Sequence, residues 1–258
     1  MSVSIIIPTF NGASRICYCL DALLPQAAAS DGEIIVVDDG SSDGTGDIVR
    51  RYQSVRLITQ VNSGPASARN RGAAEAKGDI ILFTDDDCVP TNGWLQAMTE
   101  AFQDPDVVAV KGAYRTLQKA WIARFVQLDY EDRYRLMATL RGIDFVDTYS
   151  AAFRRDRFLE LNGYDTSFPV ACAEDAELSY RMSERGWKMI FVPTAIVYHV
   201  ILLRSERFCE RNTSLHSGEC CPCSRIPKNL EDSHTSQIMN LLLLFGRALL
   251  IAGCCGCS

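Results

Sequence analysis

Apolar residues in this chain fall in short runs, and the spacing changes between them. Residues 3–7, Val-Ser-Ile-Ile-Ile, form a nearly unbroken apolar run, the pattern of a strand buried on both faces. Pro8-Thr-Phe-Asn-Gly12 ends it. Ile16, Cys19, Leu20, Leu23 and Leu24 then recur at helical spacing and predict a helix over residues 14–29. Glu33-Ile-Ile-Val-Val-Asp38 is a second buried strand, followed by a Gly/Ser/Asp loop that opens a helix toward Tyr52. Residues 55–59 give a third strand. Asn62-Ser-Gly-Pro-Ala66 reads as a helix start, with Ser63 or Gly64 as cap and Pro65 in the first turn. That helix ends near Lys77-Gly78, and residues 79–84 make the next strand. Strand–helix alternation over the first hundred residues predicts an α/β fold, with a mostly parallel central sheet and helices on both faces.

Further along, Asn92 is the expected cap of a helix over residues 94–102, and residues 107–111 form a strand. Residues 117–140 read as a long amphipathic helix in which Trp121, Phe125, Leu128 and Met137 lie among charges. Residues 150–153 precede a short helix, and Glu174-Asp175-Ala-Glu177 opens another through Arg185-Gly186. Residues 189–192 and 196–199 are the last apolar runs that fit strands, and no internal repeat is visible.

With 258 residues, 47% of them hydrophobic and 22% charged, the chain is long enough for one sizeable core. The net charge of −6 argues against a general nucleic-acid-binding surface. No charged segment followed by an apolar one opens the chain, so the expected location is the cytoplasm or the cytoplasmic face of a membrane. Seven of the eleven cysteines follow residue 200, which divides the chain into a domain over residues 1–200 and a Cys-rich extension over 201–258. Its Cys220-Cys-Pro-Cys223 and Cys254-Cys-Gly-Cys257 clusters offer the ligands of a four-thiolate zinc site. A poorly ordered terminus, or a sequence that has lost its native ending, accounts for them more simply. Residues 238–253 are largely apolar but interrupted by Arg247, and they fall short of the roughly 20 residues that span a bilayer. Peripheral association with a membrane, or packing on the core, fits that length.

The stretch that carries the most chemistry is Asp79-Ile-Ile-Leu-Phe-Thr-Asp85-Asp86-Asp87. In an extended backbone Asp85 and Asp87 point one way and Asp86 the other. Adjacent carboxylates repel unless a cation lies between them, and hard Mg²⁺ or Mn²⁺ takes such oxygens. Ligands of open α/β sheets bind beyond the carboxyl ends of strands. A metal–phosphate site and a solvated acidic turn both fit these residues.

Six segments in order resemble the family 2 glycosyltransferases, which have the GT-A fold. They are Ser4-Ile-Ile-Ile-Pro-Thr-Phe-Asn11, Val37-Asp-Asp-Gly-Ser-Ser-Asp-Gly-Thr45 and Gly64-Pro-Ala-Ser-Ala-Arg-Asn-Arg-Gly72. Next come the Asp85-Asp86-Asp87 triplet, Ala151-Ala-Phe-Arg-Arg-Asp156 with Gly163-Tyr-Asp165, and Glu174-Asp175. The resemblance covers about residues 2–200. It implies an inverting transfer from a UDP-, GDP- or dTDP-sugar to a sugar or lipid-linked acceptor, assisted by Mg²⁺ or Mn²⁺. It assigns Pro8, Thr9, Phe10, Asp38, Asp39, Arg69, Asp85, Asp86 and Asp87 to the donor side. It assigns Asp85, Asp87 and His199 to the metal, and Asp175, with Glu174 beside it, to catalysis.

The chemistry of the residues agrees. A sugar hydroxyl is a poor nucleophile and needs a carboxylate to take its proton. A nucleoside diphosphate leaves readily only when its growing charge is neutralised. Two rival readings are an inactive donor-binding or membrane-associated scaffold and a sugar-nucleotide pyrophosphorylase. The second lacks a Gly-rich basic loop after the first strand to cradle a triphosphate.

Overall fold

The computed structural model describes residues 1–118, 121–167 and 173–199. The expectations for the Cys-rich extension, including its CCxC clusters and residues 238–253, lie outside the described residues.

The strands are β1 (Val3–Thr9), β2 (Glu33–Asp38), β3 (Val55–Thr59), β4 (Ile80–Phe83), β5 (Cys88–Pro90), β6 (Val107–Arg115), β7 (Ala151–Arg154) and β8 (Lys188–His199). They form one sheet in the order β3-β2-β1-β4-β7-β6-β8-β5. The β1–β2, β2–β3, β1–β4 and β6–β8 pairs are parallel. The pairs β4–β7, β6–β7 and β5–β8 are antiparallel. The helices are α1 (Ile16–Ala29), α2 (Thr45–Val49), α3 (Pro65–Glu75), α4 (Trp94–Glu100), α5 (Trp121–Met137), α6 (Arg155–Glu160) and α7 (Glu174–Glu184).

The apolar run of β1 splits with the strand period. Ile5 and Ile7 join one core cluster with Ile34, Val36 and the α1 residues Leu20 and Leu23. Ile6 joins the other with Ile35, Val37 and the α3 alanines Ala66, Ala68 and Ala73. Two-faced burial is why this strand needs apolar residues without alternation. Small residues let α3 lie close against the sheet: a Cβ on Gly72 would come within 2.4 Å of Ile6 Cγ2.

Several elements depart from the sequence expectation. The cap of α4 is Gly93, with φ +82° and no side-chain cap bond, in place of Asn92. α3 ends at Glu75, before Lys77-Gly78. The two apolar runs after residue 188 are one strand, β8, whose register against β6 shifts twice. β7 was expected only as a lead-in to a helix, yet it pairs antiparallel between β4 and β6. The largest correction is α5: Trp121, Phe125 and Leu128 are exposed. Its buried side instead carries Ala123, Gln127 and Met137, with Val126, Tyr130 and Tyr134 partly covered. The helix is apolar on two sides, and periodicity does not say which of them faces the core.

Candidate active site

β1 ends at Thr9, β2 at Asp38, and β4 at Phe83 just before the acidic triplet. The triplet is not extended. The chain turns at residues 86–87 into β5, so strand alternation does not apply and the carboxylates diverge. Asp85 Oδ1 accepts a hydrogen bond from Arg69 Nη2 at 2.7 Å. Asp86 is buried and takes Thr9 Oγ1 at 2.5 Å, with Arg15 Nε at 2.7 Å and Arg15 Nη2 at 3.0 Å. Asp87 Oδ1 lies 3.3 Å from His199 Nε2. Gly12 makes room for this packing, since a Cβ there would meet Asp86 Oδ2 at 2.2 Å.

Arg69 is held in place from the loop before its helix. Asp39 accepts the Ser63 and Gly64 N–H groups at 2.9 and 2.8 Å and Gln60 Nε2 at 2.8 Å, which fixes the entry to α3. Asp38 accepts the Ser41 N–H at 2.9 Å and shapes the loop after β2. Pro8 lies within β1, and Phe10 follows it with an exposed ring. From α3 the buried Arg69 reaches Asp85 and, through Nη1 at 3.3 Å, Glu174 Oε1. Burial works against the guanidinium charge, but Asp85, Tyr164 and Glu174 outweigh it and raise its pKa. The next residue, Asn70, exchanges two hydrogen bonds with the Tyr164 backbone, at 2.7 and 2.8 Å. Gly163 has φ +68°, and a Cβ there would meet Asn70 Oδ1 at 2.3 Å. The Arg69-Asn70 pair thus ties the acidic turn, the Gly163-Tyr-Asp165 segment and the start of α7 into one unit.

At that start, Glu174 is buried and Asp175 half-buried. Desolvation, then the charges of Asp147 and Glu174, push the Asp175 carboxyl up to about 7. The helix dipole and the Ala176 N–H at 2.9 Å oppose that shift without cancelling it. Ser179 Oγ donates to the Asp175 carbonyl at 2.7 Å and accepts the Val146 N–H at 3.0 Å. This bridge brings Asp147 to the site, where it pairs with the buried Lys111 and accepts Tyr149 OH at 2.7 Å. A carboxyl that titrates near neutrality can take a proton from a substrate hydroxyl and give it up again.

Asp87, Cys88 and His199 offer three ligand atoms within 4.8 Å of one another. Asp85 lies outside that group because its carboxylate turns to Arg69. His199 ends β8 directly opposite Cys88 on β5, and its ring lies 5.9 Å from that of Tyr114. Burial pushes the Asp87 carboxyl up, but the hydrogen bond and charge of His199, then Arg15, outweigh it and hold it low. Burial, then the charges of Asp85 and Asp87, raise the Cys88 thiol. The Asp87 carboxylate and the His199 imidazole put a nitrogen beside an oxygen, a donor set that fits Mn²⁺ better than all-oxygen Mg²⁺.

Sequence reasoning missed Arg15, Lys111, Asp147 and Ser179. Lys111 had a signal: it is the one charge in Val107-Val-Ala-Val-Lys-Gly-Ala-Tyr114. A lysine in a buried strand requires an acidic partner. Arg15 had none, because nothing local links it to a carboxylate 71 residues away.

Residues 4–161 match the family described as Glycosyl transferase family 2. The pre-mycofactocin glycosyltransferase of Mycobacterium tuberculosis is 28% identical over 206 residues, 76% of this chain and 42% of that protein. The probable glycosyltransferase YdaM of Bacillus subtilis is 31% identical over 218 residues, 76% of this chain and 50% of its own length. The chain therefore spans half or less of these curated relatives. Among solved structures, the mannosyltransferase PcManGT of Pyrobaculum calidifontis, in complex with GDP-Man and Mn²⁺, superposes with a TM-score of 0.70 at 24% identity, covering 99% of this chain and 76% of that one. GalNAc-T7 with UDP, GalNAc and Mn²⁺ gives a TM-score of 0.65 at 20% identity, covering 79% and 44%. The sheet order and helical layers are those of the GT-A fold. Since the matched residues run from the start of β1 through α6, more than half the chain, it belongs to glycosyl transferase family 2.

Proposed function

We propose that the chain is the catalytic part of an inverting transferase that moves a sugar from a nucleoside-diphosphate sugar to an acceptor hydroxyl. The observation that carries this reading is Arg69. It bridges Asp85 in the acidic turn to Glu174 beside Asp175, joining a charge-handling half to a proton-accepting half. The ends of β1 and β2 form the donor side, with buried Thr9, Asp38 and Asp39 and the exposed ring of Phe10. Arg15 and Arg69 supply cationic character where a diphosphate arrives.

Asp87 and His199 are the residues that would hold a divalent cation, with Mn²⁺ preferred to Mg²⁺. When bound, such a cation neutralises charge on the leaving diphosphate. Asp175 accepts the acceptor's O–H proton as the new glycosidic C–O bond forms. The anomeric C–O bond to phosphate breaks on the opposite face, and its electron pair leaves with the nucleoside diphosphate. Attack opposite the leaving group inverts the anomeric centre. Work at a cytoplasmic membrane face, on a lipid-linked acceptor, is consistent with this chemistry.

A panel of UDP-, GDP- and dTDP-sugars, assayed for hydrolysis and transfer with Mn²⁺, Mg²⁺ or EDTA, tests the reading. One donor is expected to be turned over, faster with Mn²⁺ than with Mg²⁺, and not in EDTA. Donor binding without any turnover would favour the inactive scaffold.

A further inference from the structure

Six of the ten large apolar side chains exposed among the described residues belong to one stretch of sequence: Leu117, Trp121, Phe125, Leu128, Leu136 and Leu140. Trp121 is 70% exposed and Leu117 77%. Within α5, Trp121, Phe125, Leu128 and Leu136 are separated by four, three and eight residues, which places them on one side. The opposite side, with Tyr130 and Tyr134, packs against Tyr114 and Tyr149. Exposed apolar faces of this size on a folded domain mark an interaction site.

Charge says what covers it. The chain as a whole carries −6, but residues 115–141 hold six basic and three acidic residues, a local +3. Asp129 and Asp132 are already paired, with Arg133 and Arg135. Exposed Arg115, Arg124 and Arg141 have no carboxylate within 4.0 Å among the described residues. Arg124 flanks the apolar stripe one turn from Trp121 and from Leu128. Asp132 also lies on that side, four residues from Leu128 and from Leu136, with its charge met by Arg135; the rest is a Trp/Phe/Leu face edged by arginines, the composition of a helix that lies in a lipid interface, with arginine stems reaching to headgroups. We infer that the outer face of α5 docks this domain on an anionic membrane surface. The inner face of the same helix contacts Tyr114, whose ring neighbours His199, so docking through α5 sets the candidate metal site close to the lipid.

The test uses the full chain and phosphatidylglycerol or phosphatidylcholine vesicles, read by co-sedimentation and by tryptophan emission. Trp94 is fully buried and Trp187 is partly buried beneath Arg157 and Arg185, so the exposed Trp121 is the best placed of the three to report. Binding to phosphatidylglycerol is expected to exceed that to phosphatidylcholine by about tenfold and to weaken in about 0.5 M salt. Emission should shift to the blue, and Trp121→Phe should abolish that shift. The Trp121→Ser/Phe125→Ser/Leu128→Ser variant should lose binding while its melting temperature holds, because these side chains are exposed among the described residues. Arg115→Gln/Arg124→Gln/Arg141→Gln should remove the preference for anionic lipid. Absence of wild-type binding would overturn the inference. So would undiminished binding by the triple serine variant, which would place the contact elsewhere in the chain. A wild-type dimer that this variant converts to monomer, without vesicle binding by either, would assign the face to a second copy instead.

Discussion

Asp175 is held among acids, and its protonation decides what it can do. Its carboxyl titrates near 7 because burial and the charges of Asp147 and Glu174 disfavour ionisation. As a base it must be ionised, so kcat should fall as pH drops below about 7. Asp147→Asn removes one neighbouring charge and should move that limb to lower pH. The same shift has a stability consequence with a definite sign. An unfolded Asp titrates at about 3.9, so between that value and the folded one only the native state holds the proton. Asp175 therefore contributes stability that is fully present below pH ~4 and lost as pH rises through the folded value. Denaturant titrations at several pH values should show this loss in wild type and a flatter profile in Asp175→Asn. The amide cannot accept a proton, so turnover by that variant should drop by about 10²–10⁴, mainly in kcat. Near-normal kcat with an intact fold would remove Asp175 from the chemistry.

Elements matter here through the joints between them. α3 enters on Asp39, carries Arg69 to the acidic turn, and through Asn70 holds the segment at Gly163. Gly163→Ala tests that joint. The residue has φ +68°, and the added methyl would meet Asn70 Oδ1 at 2.3 Å. The expected cost is about 1–3 kcal/mol, read as a lower denaturant midpoint. Because Asn70 neighbours Arg69, donor affinity should weaken as well, whereas Gly186→Ala, at φ +66° but with open space around its Cβ position, should cost less and spare it.

For the molecule as a whole, the proposed ligands bind where several segments meet, so they should stabilise the native state against the unfolded one. A nucleoside diphosphate with Mn²⁺ at about a hundred times its Kd adds roughly 2.7 kcal/mol. For a domain of this size that is a rise in melting temperature of about 5–10 °C. His199→Ala should abolish the Mn²⁺-dependent part of the rise and leave the unliganded melting temperature nearly unchanged. An equal rise in EDTA would exclude Asp87 and His199 as the cation site. Among the described residues no helix is long and apolar enough to cross a membrane.

The alternation of apolar runs and the turn residues between them determined the α/β class, the strands β1 to β4 and the Gly64-Pro65 helix start, while the six motif segments were marked by their resemblance to a known family. These are legible because burial on both faces, helix starts and tight turns are local demands that each select residue types nearby in sequence. Tertiary structure alone decided which side of α5 is buried, since both sides are apolar and only β6 and the Tyr149 loop distinguish them. It alone decided the partners of the triplet. Asp85, Asp86 and Asp87 are equivalent in sequence, yet a turn sends them to Arg69, Arg15 and His199, which lie 16, 71 and 112 residues away. Long-range electrostatic pairing leaves no periodic trace. A single buried charge such as Lys111 is the exception, because an apolar strand makes the need for its partner visible.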